Sequence, residues 1–414
     1  MIIWRILLPL LLFSMQYMLY RRTKRWLQET RPNDKRYLTM ARALFIVFNV
    51  AALYAMIQRP DLNESPGWFV YGGLYPYFIW HGATFFIGLI VTLTSLVKLP
   101  FKGVFWLVKR TRKNQFAQLQ ANPAYQRFNE SRRTFLRRSM YGLTAVSFGG
   151  SAYGLTVDKS DCEITEAEFP IQNLPEALDG FTIALIADIH SSIYMMRPEM
   201  EEYARLVNSL GADLIVVNGD FVNSTVEEVY PFAEAFGRLS APYGIFGVMG
   251  NHEFYTTDPE RVAREVNDCG IILLRDEKIL VQRNGGQFYL IGVDDIGRST
   301  SASVKLDVAI GQAPLPIPRI LLCHRPYYLP QAARRNIDLM LSGHTHGGQV
   351  VLGRFGETVI APASLVSRYV WGAYREGNAQ MYVSRGIGTV GLPIRINCPP
   401  EITKITLRST FARG

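Results

Sequence analysis

Five of the six histidines in this 414-residue chain stand in one ordered series with aspartates and an asparagine, each block closing an apolar run. The blocks are Asp188-Ile189-His190, Gly219-Asp220, Gly250-Asn251-His252-Glu253, His324 and Gly343-His344-Thr345-His346. The runs that precede them are residues 181–187, 214–217, 244–249, 320–323 and 337–341. Short, continuous apolar runs suit strands buried on both faces. Helical stretches at about 199–210 and 226–239 separate the first three runs, and another at 258–269, opening on Asp258-Pro259, follows the third. That alternation predicts parallel pairing with right-handed crossovers. Side chains at the ends of such strands collect at the carboxyl edge of the sheet. Segments 287–293, 380–384 and 402–407 show no helix between them and predict a second, more antiparallel sheet.

Imidazole and carboxylate are the groups that borderline divalent metals prefer. One Asp or His at a strand end is ordinarily a cap or a surface residue; the ordered set is what points to metal. The series resembles the calcineurin-like metallophosphoesterases, whose pattern is D-x-H, G-D, G-N-H-[DE], H and G-H-x-H. The resemblance runs from about Cys162 to the C-terminus. The stretches Gly343 to Gln349, Tyr382 to Thr389 and Pro400-Glu401-Ile402 resemble a bacterial, membrane-associated branch of that family.

The resemblance implies a four-layer α-β-β-α sandwich, which agrees with the two-sheet reading. It implies one divalent metal on Asp188, His190, Asp220 and His346, and a second on Asp220, Asn251, His324 and His344, with Asp220 bridging. Manganese is the expected metal, with iron and zinc as alternatives. The same resemblance places His252 opposite the scissile bond as an acid or charge stabiliser. Many relatives carry an Asp three residues after the bridging Asp, where it orients that histidine. Here the position is Asn223. A carboxamide can still hold an imidazole but supports an imidazolium less well. The implied activity is hydrolysis of a phosphomonoester, phosphodiester or pyrophosphate by hydroxide held on the two metals. A non-catalytic metal-dependent sensor is the alternative, as is a regulatory domain of a membrane protein. Arg385 and Arg395 either touch a substrate phosphate or lie on the surface. Cys323 reads as a small core residue beside His324, and His81 as a packed or interfacial histidine in an apolar stretch.

The composition breaks near residue 157. Residues 1–157 carry 21 Lys and Arg against 5 Asp and Glu, a balance of +16; residues 158–414 carry 23 against 30, a balance of −7. A basic segment of this kind suggests nucleic acid, but its charges lie between apolar stretches rather than along one face, so nucleic-acid binding is excluded. The stretches are about 2–20, 40–57, 74–97 and 140–157, with 101–108 too short to span. The expected organisation is a transmembrane region of about four helices over 1–157 and a metallophosphoesterase domain over 158–414. Basic linkers at 21–42 and 98–138 would face the cytoplasm, which leads the domain out of the cell. The segment Ser131 to Arg137 also resembles a twin-arginine export motif. A multi-pass protein of the cytoplasmic membrane acting on a lipid or cell-envelope phosphoester follows, with a cytoplasm-facing UDP-lipid pyrophosphatase as the alternative if one span does not cross. The spacing of Cys162, Cys269, Cys323 and Cys398 fixes no disulfide pairing.

Overall fold

The computed structural model describes residues 2–58, 65–156, 161–295, 302–356 and 358–410. The chain divides into two compact units, residues 1–61 with 66–155, and residues 62–65 with 156–414.

The first unit is helical: Ile2–Thr30, Lys35–Gln58, Gly67–Thr111 with a π-turn at Val70–Leu74, Lys113–Ala121 and Pro123–Thr156. Among the described residues, two stretches are long and apolar enough to cross a membrane, Lys35–Tyr54 and Gly67–Thr111, with mean hydropathy 1.5 and 1.8. The segment expected to end near residue 97 instead continues as helix through 101–108. Pro100 removes one main-chain donor from that helix but does not end it. His81 is packed: its Nε2 lies 3.2 Å from the Phe48 carbonyl oxygen and its ring 4.5 Å from that of Tyr77. The twin-arginine-like segment lies within helix Pro123–Thr156, with Arg132, Arg133 and Arg137 exposed.

Among the described residues, the second unit is built on fourteen strands. In chain order they are β1 (Glu163–Ile171), β2 (Thr182–Ile186), β3 (Leu214–Asn218), β4 (Ile245–Val248), β5 (Ile272–Leu273), β6 (Glu277–Arg283) and β7 (Gly286–Val293). Then follow β8 (Arg319–Cys323), β9 (Leu339–Ser342), β10 (Gly353–Phe355), β11 (Thr358–Ile360), β12 (Gly372–Glu376), β13 (Ala379–Val383) and β14 (Glu401–Ser409). One six-stranded sheet has the order β1-β14-β2-β3-β4-β5 and the other β12-β13-β9-β8-β7-β6, while β10 and β11 form a separate hairpin.

The strands that carry the histidine series are buried on both faces. Along β3, Ile215 and Val217 pack against the helices Arg197–Ser209, Val229–Phe236 and Pro259–Asp268. Their neighbours Leu214 and Val216 point the other way, into the layer between the sheets with Leu290, Leu322 and Leu341. A third apolar layer, with Leu321, Met340 and Met381, lies between the second sheet and the helices Ala302–Ile310 and Leu329–Ala333. Two sheets with helices outside each make the four-layer α-β-β-α sandwich.

Two expectations about the second sheet are corrected. Its centre, β13-β9-β8-β7, is parallel throughout, and only the edge strands β12 and β6 pair antiparallel. The helices Ala302–Ile310 and Leu329–Ala333, not anticipated from the sequence, supply the crossovers that parallel pairing needs. Segment 402–407 does not join that sheet. It forms β14 of the first, antiparallel to β2 and parallel to β1.

Candidate metal centre

The site lies where the carboxyl ends of parallel strands from both sheets converge. Asp188 and His190 follow β2, Asp220 follows β3, Asn251 follows β4, His324 follows β8, and His344 and His346 follow β9. The turns that deliver them are tight. Asp188, His190, Asp220, His344 and His346 all have φ between 50° and 73°, a left-handed backbone that costs non-glycine residues of order 1–3 kcal/mol each. The surrounding main chain enforces it: His190 N–H donates to the Asp220 carbonyl at 2.9 Å, and Asp188 N–H to the Gly219 carbonyl at 3.1 Å. Gly219 itself is required. Its φ is +77°, and a Cβ there would sit 2.7 Å from His324 Nδ1.

Asp188, His190, Asp220 and His346 each offer a ligand-type atom, all within 4.8 Å of one another. Asp220, His324 and His344 form a second such group. Asp220 is the shared member. Its Oδ2 lies 3.5 Å from His190 Nε2 and 3.1 Å from His324 Nε2, while its Oδ1 accepts the His252 main-chain N–H at 2.9 Å. The Nε2 atoms of His190 and His346 face each other at 3.1 Å. Asp188 accepts the His344 N–H on both oxygens, at 2.8 and 3.0 Å. His324 is oriented by the Asn218 carbonyl, 2.8 Å from its Nδ1, which turns Nε2 toward Asp220.

The residues fit metal. Asn251 Oδ1, His190 Nδ1 and His346 Nδ1 are buried without a hydrogen-bond partner among the described residues, which a purely structural polar cluster would avoid. Burial holds the imidazoles of His190, His344 and His346 well below the usual range, so they are neutral, the form that binds a cation. Burial opposes ionisation of Asp220, but His324, His252 and His190 around it hold its carboxyl well below the usual carboxylate range. Burial pushes Asp188 up to about 7. Burial works against a charge on His324 too, yet Asp220 and Asp188 raise it to about 10.

His252 is half-buried, its ring 4.4 Å from that of His190. Its Nδ1 lies 2.5 Å from the main-chain carbonyl oxygen of Asn223. The expected contact through the Asn223 carboxamide is not made; that side chain donates to Ser224 Oγ at 3.2 Å. The loop is set instead by Glu228. Its Oε2 accepts the N–H groups of Asn223, Ser224 and Thr225 at 2.8, 2.6 and 3.0 Å. Glu253, next to His252 in sequence, does the same for the strand ends: its carboxylate accepts the N–H groups of Asp220, Phe221, Val222 and Gly250 at 2.7–3.2 Å. The sequence showed Glu253 within the G-N-H-E block, but only the fold reveals that one carboxylate ties β3 to β4.

Arg385 and Arg395 are neither surface residues nor free to meet a phosphate. Arg385 is buried, pairs with Glu163 at 2.7 Å and Glu401 at 3.3 Å, and stacks on Trp371. Arg395 is fully buried and donates to the main-chain oxygens of Gly388, Cys398, Arg385 and Gly386 and, at 3.8 Å, to Cys398 Sγ. The loop it grips touches the site, because Gly388 N–H donates to the Asp188 carbonyl at 2.7 Å. Arg325, directly after His324, pairs with Asp295 at 2.5 Å. Cys323 is buried in the core layer behind β8, and none of the four cysteines is in a disulfide.

Residues 181–348 match the family model for calcineurin-like phosphoesterases. The domain belongs to that family. The chain is 32% identical over 268 residues to a transmembrane protein with metallophosphoesterase domain from Danio rerio, a match covering 62% of this chain and 60% of that protein. It is 29% identical over 287 residues to the uncharacterised metallophosphoesterase YkuE of Bacillus subtilis, covering 68% of this chain and 98% of the relative. It is 28% identical over 230 residues to the phosphodiesterase YaeI of Escherichia coli, covering 55% and 82%. Similarity thus reaches both bacterial and animal proteins, and the chain spans only 60% of the length of the Danio rerio relative.

Proposed function

We propose that this chain is a membrane-anchored, metal-dependent phosphoesterase. One divalent ion would be held by Asp188, His190, Asp220 and His346, and a second by Asp220, Asn251, His324 and His344. The observation that carries the reading is the pair of donor clusters sharing the single carboxylate of Asp220. Manganese is the preferred pair, with iron or zinc as alternatives that a nitrogen and oxygen donor set also suits. Two such ions, when bound, would clamp a phosphate and lower the pKa of a water between them. The protein's own groups do the rest. Asp220 fixes the spacing of the clusters, and Asn251 adds a neutral oxygen that leaves net positive charge for an anionic substrate. His252, its Nδ1 held by the Asn223 carbonyl, has its other ring nitrogen available to protonate the leaving oxygen.

The substrate is a phosphomonoester, phosphodiester or pyrophosphate, and similarity to the phosphodiesterase YaeI favours trying a diester first. Two helices apolar enough to span support anchoring, and anchoring favours a substrate that is itself in the membrane or envelope. Purified full-length protein, stripped with chelator and reloaded with manganese, should hydrolyse chromogenic aryl phosphodiesters or monoesters and lose turnover on re-stripping. Two ions per chain with no turnover of any aryl ester would leave the sensor reading in its place.

A further inference from the structure

Between the site loop and β12 the chain makes an excursion through the hairpin of β10 and β11 and the turn Pro362–Leu365. Its inner face is well anchored. Val359 is buried with Val351, Ala361, Val370 and Cys398, and the Arg354 guanidinium lies 4.5 Å from the centre of the Trp371 ring. The anchoring reaches the metal ligands themselves. Cys398 donates to the His346 carbonyl at 3.3 Å, and Thr345, between the two histidines, donates through its hydroxyl to the Val370 carbonyl at 2.6 Å.

The outer face is the opposite case. Arg354 pairs with Val359 across the hairpin, which places Phe355 and Ile360 together on the other side. Phe355 is 72% and Ile360 45% exposed, and Leu352, Leu365 and Val366 are 77%, 88% and 67% exposed. Five bulky apolar side chains exposed within residues 352–366 are more than scattered surface hydrophobics require, and concentrations of this kind mark an interaction surface.

We propose that this excursion docks into the interface of a lipid bilayer and so presents the metal centre to a phosphoester carried by a lipid. The second part rests on the phosphoesterase reading; the docking does not. Three observations select a bilayer over a protein partner. The exposed side chains are aliphatic and aromatic, as interfacial segments require. The polar residues at its base match headgroups: Arg354 and Arg375 are exposed, and guanidinium groups there suit an anionic lipid surface. Among the described residues the same chain carries two stretches long enough to span, so a bilayer is the surface this domain is tethered to.

The test uses the full chain reconstituted into phosphatidylethanolamine–phosphatidylglycerol vesicles doped with a phosphatidylethanolamine bearing a photoreactive acyl chain. After illumination, mass spectrometry should find lipid on residues 352–366 as well as on the spanning helices. The double variant Phe355→Asp/Leu365→Asp should lose label in that segment, while Ile272→Asp, at an exposed position of β5, should not. Hydrolysis of a fluorescent phosphodiester lipid in the vesicles should fall by about tenfold or more in the double variant, with a soluble aryl diester unaffected. Labelled helices with an unlabelled segment 352–366 would overturn the docking. Lipid labelling without hydrolysis of either substrate by the unsubstituted chain would sustain the docking and sink the phosphoesterase reading instead.

Discussion

At the level of single residues, the site separates groups that hold charge from groups that aim it. His252 is aimed by main chain, since its Nδ1 meets the Asn223 carbonyl and not a side chain. Asn223→Ala should therefore leave turnover within about twofold, because any residue offers the same carbonyl. His252→Ala should retain both metals and lose on the order of 10²–10⁴ in turnover, the range of a general acid. The loss should shrink for aryl esters with good leaving groups, and a uniform loss across them would make His252 a positioning group only. Asp220→Asn removes the one charge common to both clusters, so metal analysis should return fewer than two ions per chain. Two tightly retained ions would refute the bridging role. Protons compete for the same groups. Asp188 titrates near 7 and His324 near 10 in the metal-free site, so both hold protons at acidic pH and must release them to bind a cation. Metal affinity should consequently rise from pH 6 to pH 8, with proton release visible as a buffer-dependent heat in titration calorimetry. An affinity flat across that window would count against this protonation scheme.

Among the secondary-structure elements, what the sequence displayed was governed by burial. The runs ahead of the histidine series became β2, β3, β4, β8 and β9, because strands apolar on both faces leave little ambiguity. The edges were harder. β1, exposed along most of its length, and β6, with a mixed pattern, carry no continuous apolar run, and the two-residue β5 is below what periodicity can register. The parallel centre of the second sheet was missed because its crossover helices are short and irregular in pattern. Arg385 and Arg395 were illegible for a different reason: Arg385 pairs with Glu163 and Glu401, which only the fold brings to it, and Arg395 serves carbonyls of a nearby but irregular loop, which no periodicity announces. Arg395 also yields a prediction about stability. Its guanidinium serves the carbonyls of Arg385, Gly386, Gly388 and Cys398, and Gly388 in turn contacts Asp188. Arg395→Met fills the volume but leaves those buried acceptors unmet, at about 1–3 kcal/mol for an unsatisfied group. Thermal denaturation should show a lower midpoint and metal analysis a weaker hold. An unchanged midpoint would mean that water or neighbouring groups replace the guanidinium.

The whole chain poses the question of which side of a membrane the domain occupies. Among the described residues two stretches are apolar enough to span by composition, and two spans alone would leave the domain on the same side as the basic linkers. The helix Pro123–Thr156 is where the two outcomes part. Its last turns hold Gly149, Gly150, Ser151 and Gly154, too mildly apolar to stand out as a span. Within the helical unit, however, Met140, Leu143 and Phe148 pack against Leu19, Ile87 and Val91, and Ser147, Ser151 and Gly154 are buried. Small residues of that kind let transmembrane helices approach closely. A segment packed alongside Ile87 and Val91 of an apolar span is expected to cross with it. The basic residues that precede it, Arg132, Arg133, Arg137 and Arg138, should then stay in the cytoplasm and the domain should emerge outside. Reporter fusions after Arg138 and after Gly414, with one reporter active only inside the cell and one only outside, should give opposite answers. An inside signal from both would mean that the fourth segment does not cross. The metal centre would then face the cytoplasm, and a UDP-linked lipid pyrophosphate would replace an outer-leaflet phosphoester as the leading substrate.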